Sequence, residues 1–326
     1  RTAVHIGVFV RMISEKKLVA IGGGTGLSTV LGGLRKYFHD MTAIVTVADD
    51  GGSSGKLRTQ LGMLPPGDIR NCLCALANNE LKEVMNYRFT EGELKGHPFG
   101  NLCIAAFNGV SGNFVEAVEK MNRILNTDGL VIPVTTEDIN LLAYLENGNI
   151  IWGESSIGKR TGTERIDRIE LRPSNPPSVP EAVKKILEAD IILLGPGSLY
   201  TSIIPNLLVD GITDAITKSK ATKIYVCNLM TQPGETIGYT AHDHLAAIEK
   251  HTYAGFMDYI IANDEAVNSE ILDAYALEGS ECVKINDYEF DGTKTILKSG
   301  ALADDTGKVL RHDVNELVKI ILECAK

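Results

Sequence analysis

The sequence predicts an α/β protein with a Rossmann-like, doubly wound, mostly parallel sheet between helix layers and an inserted β-rich subregion. Three observations lead there. Short apolar runs rich in Ile, Val and Leu recur along the chain, polar glycine-containing loops follow them, and stretches with the apolar spacing of one helix face come next. A strand covered on both faces shows continuous rather than alternating apolar character, so these runs suit the middle of a parallel sheet.

The first strand is expected at Leu18 to Ile21, followed by Gly22-Gly23-Gly24-Thr25-Gly26 and a helix from Leu27 to Tyr37 whose apolar face is Leu27, Val30, Leu31 and Leu34. A second strand, Ala43 to Val47, leads into Asp49-Asp50-Gly51-Gly52-Ser53-Ser54-Gly55. Helices are then expected at Ile69 to Asn78, Leu102 to Val110 and Phe114 to Leu125. From Leu130 to Arg172 short apolar pieces alternate with charged turns, which reads as an antiparallel excursion closed by Pro173-Ser174-Asn175-Pro176-Pro177. The parallel pattern resumes with strands at Ile191 to Leu194, Ile224 to Cys227 and Tyr259 to Ala262. Its helices are Glu181 to Glu188, His242 to Lys250, Ala266 to Leu277 and Val314 to Cys324. We therefore expect one domain over 17–326 with a β-rich insertion at 130–177. Residues 1–16 read as an extension, with an apolar piece at Val4 to Val10 and Met12 as a candidate start.

With 326 residues, 44% hydrophobic and 23% charged, the chain can bury a full core. No apolar run is long enough to span a bilayer, so no membrane insertion is expected. A net charge of −10 argues against nucleic acid as a partner, because such binders cluster Lys and Arg. Six cysteines without a C-x-x-C pair suggest reduced thiols and a cytoplasmic location.

The loops carry the functional signal. Glycine has no Cβ, so a strand-to-helix turn built from it brings backbone N–H groups close to an anion at a helix N-terminus. In an open parallel sheet the loops after all strands emerge at one edge, where ligands bind. Here those loops hold Gly23, Gly24, Thr25 and Gly26; Asp49, Asp50, Ser53 and Ser54; Gly195, Gly197, Ser198 and Tyr200; and Asn228 and Thr231. The first loop completes neither a Walker A nor a G-x-G-x-x-G pattern. For each Ser or Thr alone the plain alternative is a helix N-cap. Asp49 and Asp50 suit three roles: ribose binding as in a nicotinamide enzyme, holding a divalent cation, or shaping an Asp-Gly turn. Asp68 reads as an N-cap. Arg70 and Asn71 follow in the first helical turn, where an Arg opposes the dipole and calls for an acidic partner or a ligand phosphate. His97 is an acid/base candidate weighed against a structural role. His242 and His244, two apart on a helix, diverge too far to share a metal.

With these motifs in order, the chain resembles the gluconeogenesis factor family, a branch of the group that includes 2-phospho-L-lactate transferase. The resemblance runs from about Lys17 to the last helix through Ile21 to Gly26, Val47 to Gly55, Pro66 to Asn71, Gly195 to Ile203 and Met230 to Thr236. It implies a cytoplasmic bacterial protein that binds UDP-sugars, notably UDP-N-acetylglucosamine, and that is required for cell shape and wall synthesis during gluconeogenic growth. It also implies protein partners in cell-wall synthesis; a homodimer is expected. Tyr275 and Arg311 match family positions associated with nucleotide-sugar binding, an aromatic face for a ring and a guanidinium for a diphosphate. The transferase branch implies a divalent metal such as Mg²⁺, with Asp49 or Asp50 as candidate ligands and catalytic groups. A nicotinamide oxidoreductase stands as a third reading.

Overall fold

A computed structural model describes residues 15–307 and 309–325. Residues 1–14, most of the expected N-terminal extension including Val4 to Val10 and Met12, lie outside the described residues.

The centre is a seven-stranded sheet built from β1 (Lys17–Gly22), β2 (Asp40–Val45), β3 (Leu130–Pro133), β7 (Ile191–Leu194), β8 (Thr222–Val226), β9 (Tyr259–Asn263) and β10 (Ile296–Gly300). Its order is β10-β9-β8-β7-β1-β2-β3, and every pairing is parallel. The predicted doubly wound class is therefore the observed one. Strand order reverses between β1 and β7, whose register pairs Leu18 with Ile191 and Ile21 with Leu194. All four residues of β7 are fully buried, as are Ala20 and Ile21. Burying each large aliphatic side chain of this layer contributes about 1.5–3 kcal/mol.

Between β3 and β7 the chain builds a separate antiparallel sheet from β4 (Asn140–Leu145), β5 (Ile150–Trp152) and β6 (Ile166–Arg172), in the order β5-β4-β6. Leu130–Pro133, which the sequence placed in this excursion, instead forms the edge of the main sheet beside β2. Its run Leu-Val-Ile-Pro is short and lies directly before the excursion in sequence; all but the exposed Leu130 are buried. A small antiparallel pair, β11 (Ala303–Asp304) with β12 (Arg311–His312), precedes the last helix, Val314–Cys324.

The helix Gly24–Leu34 buries Leu27, Val30, Leu31 and Leu34, the face expected from sequence. Several elements were not expected, two of them near the site or in the main sheet. Gly52–Leu61 is helical although it buries only Ser54 and Leu57, and β10 is a parallel edge strand with no fully buried residue. The helix expected at Ile69 begins at Gly67, with Pro66 as its N-cap. Asp68 is thus not the cap but the first acidic residue inside the helix.

Candidate functional site

The switch point between β1 and β7 opens into a cavity of about 650 Å³ at the carboxyl ends of the strands. One wall is the turn Gly23 to Gly26. The helix that follows has no cap from its own N-cap residue and no acidic residue in its first turn; its Gly24 N–H meets the Asp68 carboxylate in the cavity lining. Only glycine fits at two of these positions. A Cβ on Gly23 would lie 2.6 Å from Asp68 Oδ2 and 2.7 Å from Thr46 Cγ2; one on Gly26 would lie 2.9 Å from the Pro196 carbonyl oxygen.

The opposite wall is the loop after β7, tied to the loop after β8. Gly197 N–H donates to Asn228 Oδ1 at 3.1 Å, Gln232 Nε2 donates to Ser198 Oγ at 2.9 Å, and Asn228 Nδ2 donates to Gln232 Oε1 at 3.3 Å. Beneath them lies the buried carboxylate of Glu235. It accepts from the Tyr200 N–H and from Thr201 Oγ1, both at 3.0 Å, and fixes the turn Leu199–Ile203. Thr231 holds the outer rim to a segment near the last strands, its Oγ1 accepting from the Glu281 N–H at 3.0 Å. Tyr275, Glu278 and Ser280 also line the cavity.

The floor is acidic. Asp49, Asp68 and Glu154 all line the cavity. Burial, and then the charge of Asp49, push Asp68 up to about 6 despite the Gly24 N–H beside its carboxylate. Burial, reinforced by Asp49 and Glu235, pushes Glu154 up to about 8. His312, also in the lining, donates from Nε2 to the Cys227 carbonyl at 3.1 Å; burial pulls its pKa down to about 4, so it stands neutral with Nδ1 as an acceptor.

Of the residues singled out from sequence, the cavity gathers Gly23, Gly24, Thr25, Gly26, Asp49, Asp68, Gly197, Ser198, Asn228, Thr231 and Tyr275. The others are placed elsewhere. Asp50 turns away and accepts from the Ser155 N–H at 2.8 Å, which makes it a bond to the insertion. Ser53 Oγ meets His97 Nδ1 at 2.8 Å and Asn101 Nδ2 at 3.0 Å, whereas Ser54 Oγ accepts from the Gly67 N–H at 3.1 Å. Gly195, at φ +76°, shapes the chain beneath the loop, and the buried Tyr200 hydroxyl bonds the Ile166 carbonyl and Tyr239. Arg70 is 8% exposed and is absent from the lining of this cavity; its partners are the side-chain oxygens of Asn86 and Asn71. Asn71 and Arg311 line a second, neighbouring cavity. Sequence reasoning missed Glu154, Gln232 and His312 as lining residues. The two histidines near residue 243 are structural: Asp243 forms a capping box with Thr240, and His244 is buried with Nδ1 on the Thr240 carbonyl.

Asp49 and Asp68 suit a divalent cation. Among the described residues no three His, Cys, Asp or Glu side chains converge on one point. Magnesium nevertheless binds through one or two carboxylates, with phosphate oxygens and water completing an octahedron. A like-charged pair beside a phosphate-sized space fits that habit, and a cation there would offset the burial and the Asp49 charge that raise Asp68.

Known proteins share this architecture. The family model of 2-phospho-L-lactate transferase CofD matches residues 18–300. A gluconeogenesis factor of Bacillus subtilis (strain 168) is 42% identical over 318 residues, covering 97% of this chain and 100% of that protein. One of Halalkalibacterium halodurans is 44% identical over 316 residues, covering 95% and 97%. A crystal structure of a UPF0052-family protein from Bacillus halodurans superposes with a TM-score of 0.91 at 42% identity, over 94% of this chain and 100% of that one. On the family match and these identities, the chain belongs to the gluconeogenesis factor family within the 2-phospho-L-lactate transferase superfamily.

Proposed function

We propose that the protein binds a nucleotide sugar, UDP-N-acetylglucosamine or a close relative, in the switch-point cavity, and that occupancy is read by protein partners of cell-wall synthesis during gluconeogenic growth. The observation that carries this reading is the make-up of the cavity's lining. The Gly23–Gly26 turn at the N-terminus of the Gly24–Leu34 helix, suited to a diphosphate, and the Tyr275 ring, suited to a base, line the same cavity. The volume, about 650 Å³, falls within the usual range for small-molecule sites. The family of the chain supports the same reading.

The acidic floor favours a second reading, a Mg²⁺-dependent transferase that uses a nucleotide-diphosphate donor. Asp49 and Asp68 would hold the metal, which when bound supplies charge neutralisation for a diphosphate. In that reading Glu154, protonated near neutral pH, is positioned to give or take a proton at a carboxyl oxygen facing the cavity. The nicotinamide reading finds less support, since Asp50 is engaged by Ser155.

A thermal-shift panel of UDP-N-acetylglucosamine, UDP-glucose, GTP, NAD and NADP, with and without Mg²⁺, separates the readings. A ligand at a hundredfold over its Kd stabilises the fold by about 2.7 kcal/mol. A shift with UDP-sugars supports binding, and a shift with NAD alone would overturn it. Release of UMP or GMP with Mg²⁺ and an acceptor would favour the transferase.

A further inference from the structure

The helix Phe99–Ser111 has a composition that its surroundings leave unexplained. From Pro98 to Val115 the chain carries no Asp, Glu, Lys or Arg, although 23% of all its residues are charged. A helix without charge is ordinarily a buried one. This one buries only Gly100, Asn101 and Ile104. That side faces the protein: Gly100 abuts Arg70 and Met85, and Asn101 Nδ2 donates to Ser53 Oγ at 3.0 Å. The Cys103 sulfur is also turned inward, 3.8 Å from that of Met121 on the next helix.

The opposite face is open. Phe99, Ala106 and Val110 are exposed, Val110 by 83%, and the half-buried Leu102 lies between them. Their spacing, i, i+3, i+7 and i+11, is that of one helix stripe. The short helix Leu81–Asn86 packs alongside and adds the exposed Leu81 and Val84. Of the 17 large apolar side chains exposed among the described residues, seven fall between Leu61 and Val110, so exposed apolar surface is concentrated in this stretch rather than scattered.

We propose that two copies of the chain pair through this face, each helix Phe99–Ser111 lying antiparallel to its twin across a two-fold axis. The homodimer expected from sequence is thereby given a face. The stripe is complementary to itself: in a single antiparallel register Phe99 meets the partner's Val110 and Leu102 meets the partner's Ala106, large against small. The helix has no acidic residue in its first turn and no basic one in its last, and the antiparallel arrangement sets each positive helix end against a negative one. Lys120, which donates to Ser111 Oγ at the far end, is itself paired with Glu116. Copies of a chain of net charge −10 repel one another, and a face free of charge is where they can approach. A membrane surface suits the helix less well, since helices that lie on membranes carry Lys and Arg beside their apolar face. Phe99, Leu102, Ala106 and Val110 are absent from the lining of the nucleotide cavity, so the inference is independent of the nucleotide-sugar reading.

Sedimentation velocity on the full chain without ligand tests it. The parent should sediment as a dimer at tens of micromolar chain. Ala106→Glu sets like charges against each other on the pairing face and should weaken self-association at least a hundredfold, and Ala106→Lys should do the same. An equimolar mixture of the two variants should recover a dimer, which misfolded chains would not. Val110→Asp should weaken self-association at least tenfold, whereas Leu187→Glu, at an exposed apolar position on another helix, should leave the dimer intact. A monomeric parent, an intact dimer in Ala106→Glu, or a mixture that stays monomeric would each overturn the proposal. So would a monomeric parent that binds phosphatidylserine vesicles and is released from them by Ala106→Glu, since the face would then belong to a membrane.

Discussion

Asp50 Oδ1 accepts a hydrogen bond from the Ser155 N–H at 2.8 Å, joining residues 105 positions apart. The bond fastens the loop after β2 to the start of the helix Glu154–Lys159, and so brings Glu154, the residue before Ser155, into the cavity. It serves the helix as an N-cap does, from a distant segment. Gly153 completes the junction: its φ is +89°, and a Cβ there would run into Asp50 Oδ2.

Asp50→Ala should lower the unfolding free energy by about 1 kcal/mol, the usual cost of losing a cap. Urea denaturation measures that loss, and hydrogen exchange should quicken in Glu154–Lys159. Asp49→Ala, which removes a residue of the cavity lining, should instead change ligand affinity more than stability. Equal stability of Asp50→Ala and the parent would mean that the bond holds nothing in place.

The seam between the two switch-point loops predicts a different outcome for glycine substitutions. A Cβ on Gly26 would meet the backbone of Pro196 and Gly197 at 2.9–3.3 Å, atoms that cannot turn aside. Gly26→Ala should therefore cost about 1–3 kcal/mol through overpacking and weaken UDP-sugar binding. Gly109→Ala is the control: nothing lies within 4 Å of its Cβ in the helix Phe99–Ser111, and it should stabilise by about 0.4–1 kcal/mol. Thermal melts and binding isotherms of both variants decide the matter.

What was legible in the sequence follows the same physics. β1, β7 and β8 were readable because strands covered on both faces must be apolar throughout, and the loops after them because close backbone approach demands glycine. The helix Gly52–Leu61 was not, since it buries little and carries two glycines against its own propensity. β10 was missed because an edge strand lacks that continuous burial. Glu154 was beyond reach: it joins Asp49 only through the docking of the insertion, a tertiary event with no local pattern. Arg70 was rightly marked as needing a partner, but the partners are Asn71 and Asn86, neutral amides rather than an acid or a ligand.

The acidic floor makes both stability and binding depend on pH. Glu154 is raised to about 8 and Asp68 to about 6 by burial and neighbouring carboxylates. Because the folded state holds these protons more tightly than the unfolded chain, the stability they allow is fully present below the ordinary carboxylate range. It is lost as pH rises through about 6 and then about 8. Without ligand, the urea midpoint should fall across that window, and Glu154→Gln should flatten the upper part of the fall. UDP-sugar affinity should drop over the same range as the floor gains charge, and Mg²⁺ should restore it. A pH-independent affinity without metal would remove Asp68 and Glu154 from the ligand's surroundings.

Tyr275 and Arg311 lie at adjoining edges of the two cavities, linked through the Leu310 N–H, which donates to the Tyr275 hydroxyl at 3.3 Å. That long bond is the tyrosine's only side-chain hydrogen bond among the described residues, so its hydroxyl contributes little to the fold. Tyr275→Phe should keep UDP-N-acetylglucosamine affinity near the parent's, because the ring remains. Tyr275→Ala should weaken it by about 1–3 kcal/mol, the range for loss of a base–aromatic stack, with a small change in the ligand-free melting temperature. Arg311→Ala removes an exposed cation and should likewise affect binding more than folding. Isothermal titration of the three variants separates ring from hydroxyl. Equal losses in Tyr275→Phe and Tyr275→Ala would assign recognition to the hydroxyl and its backbone bond rather than to a stacked base.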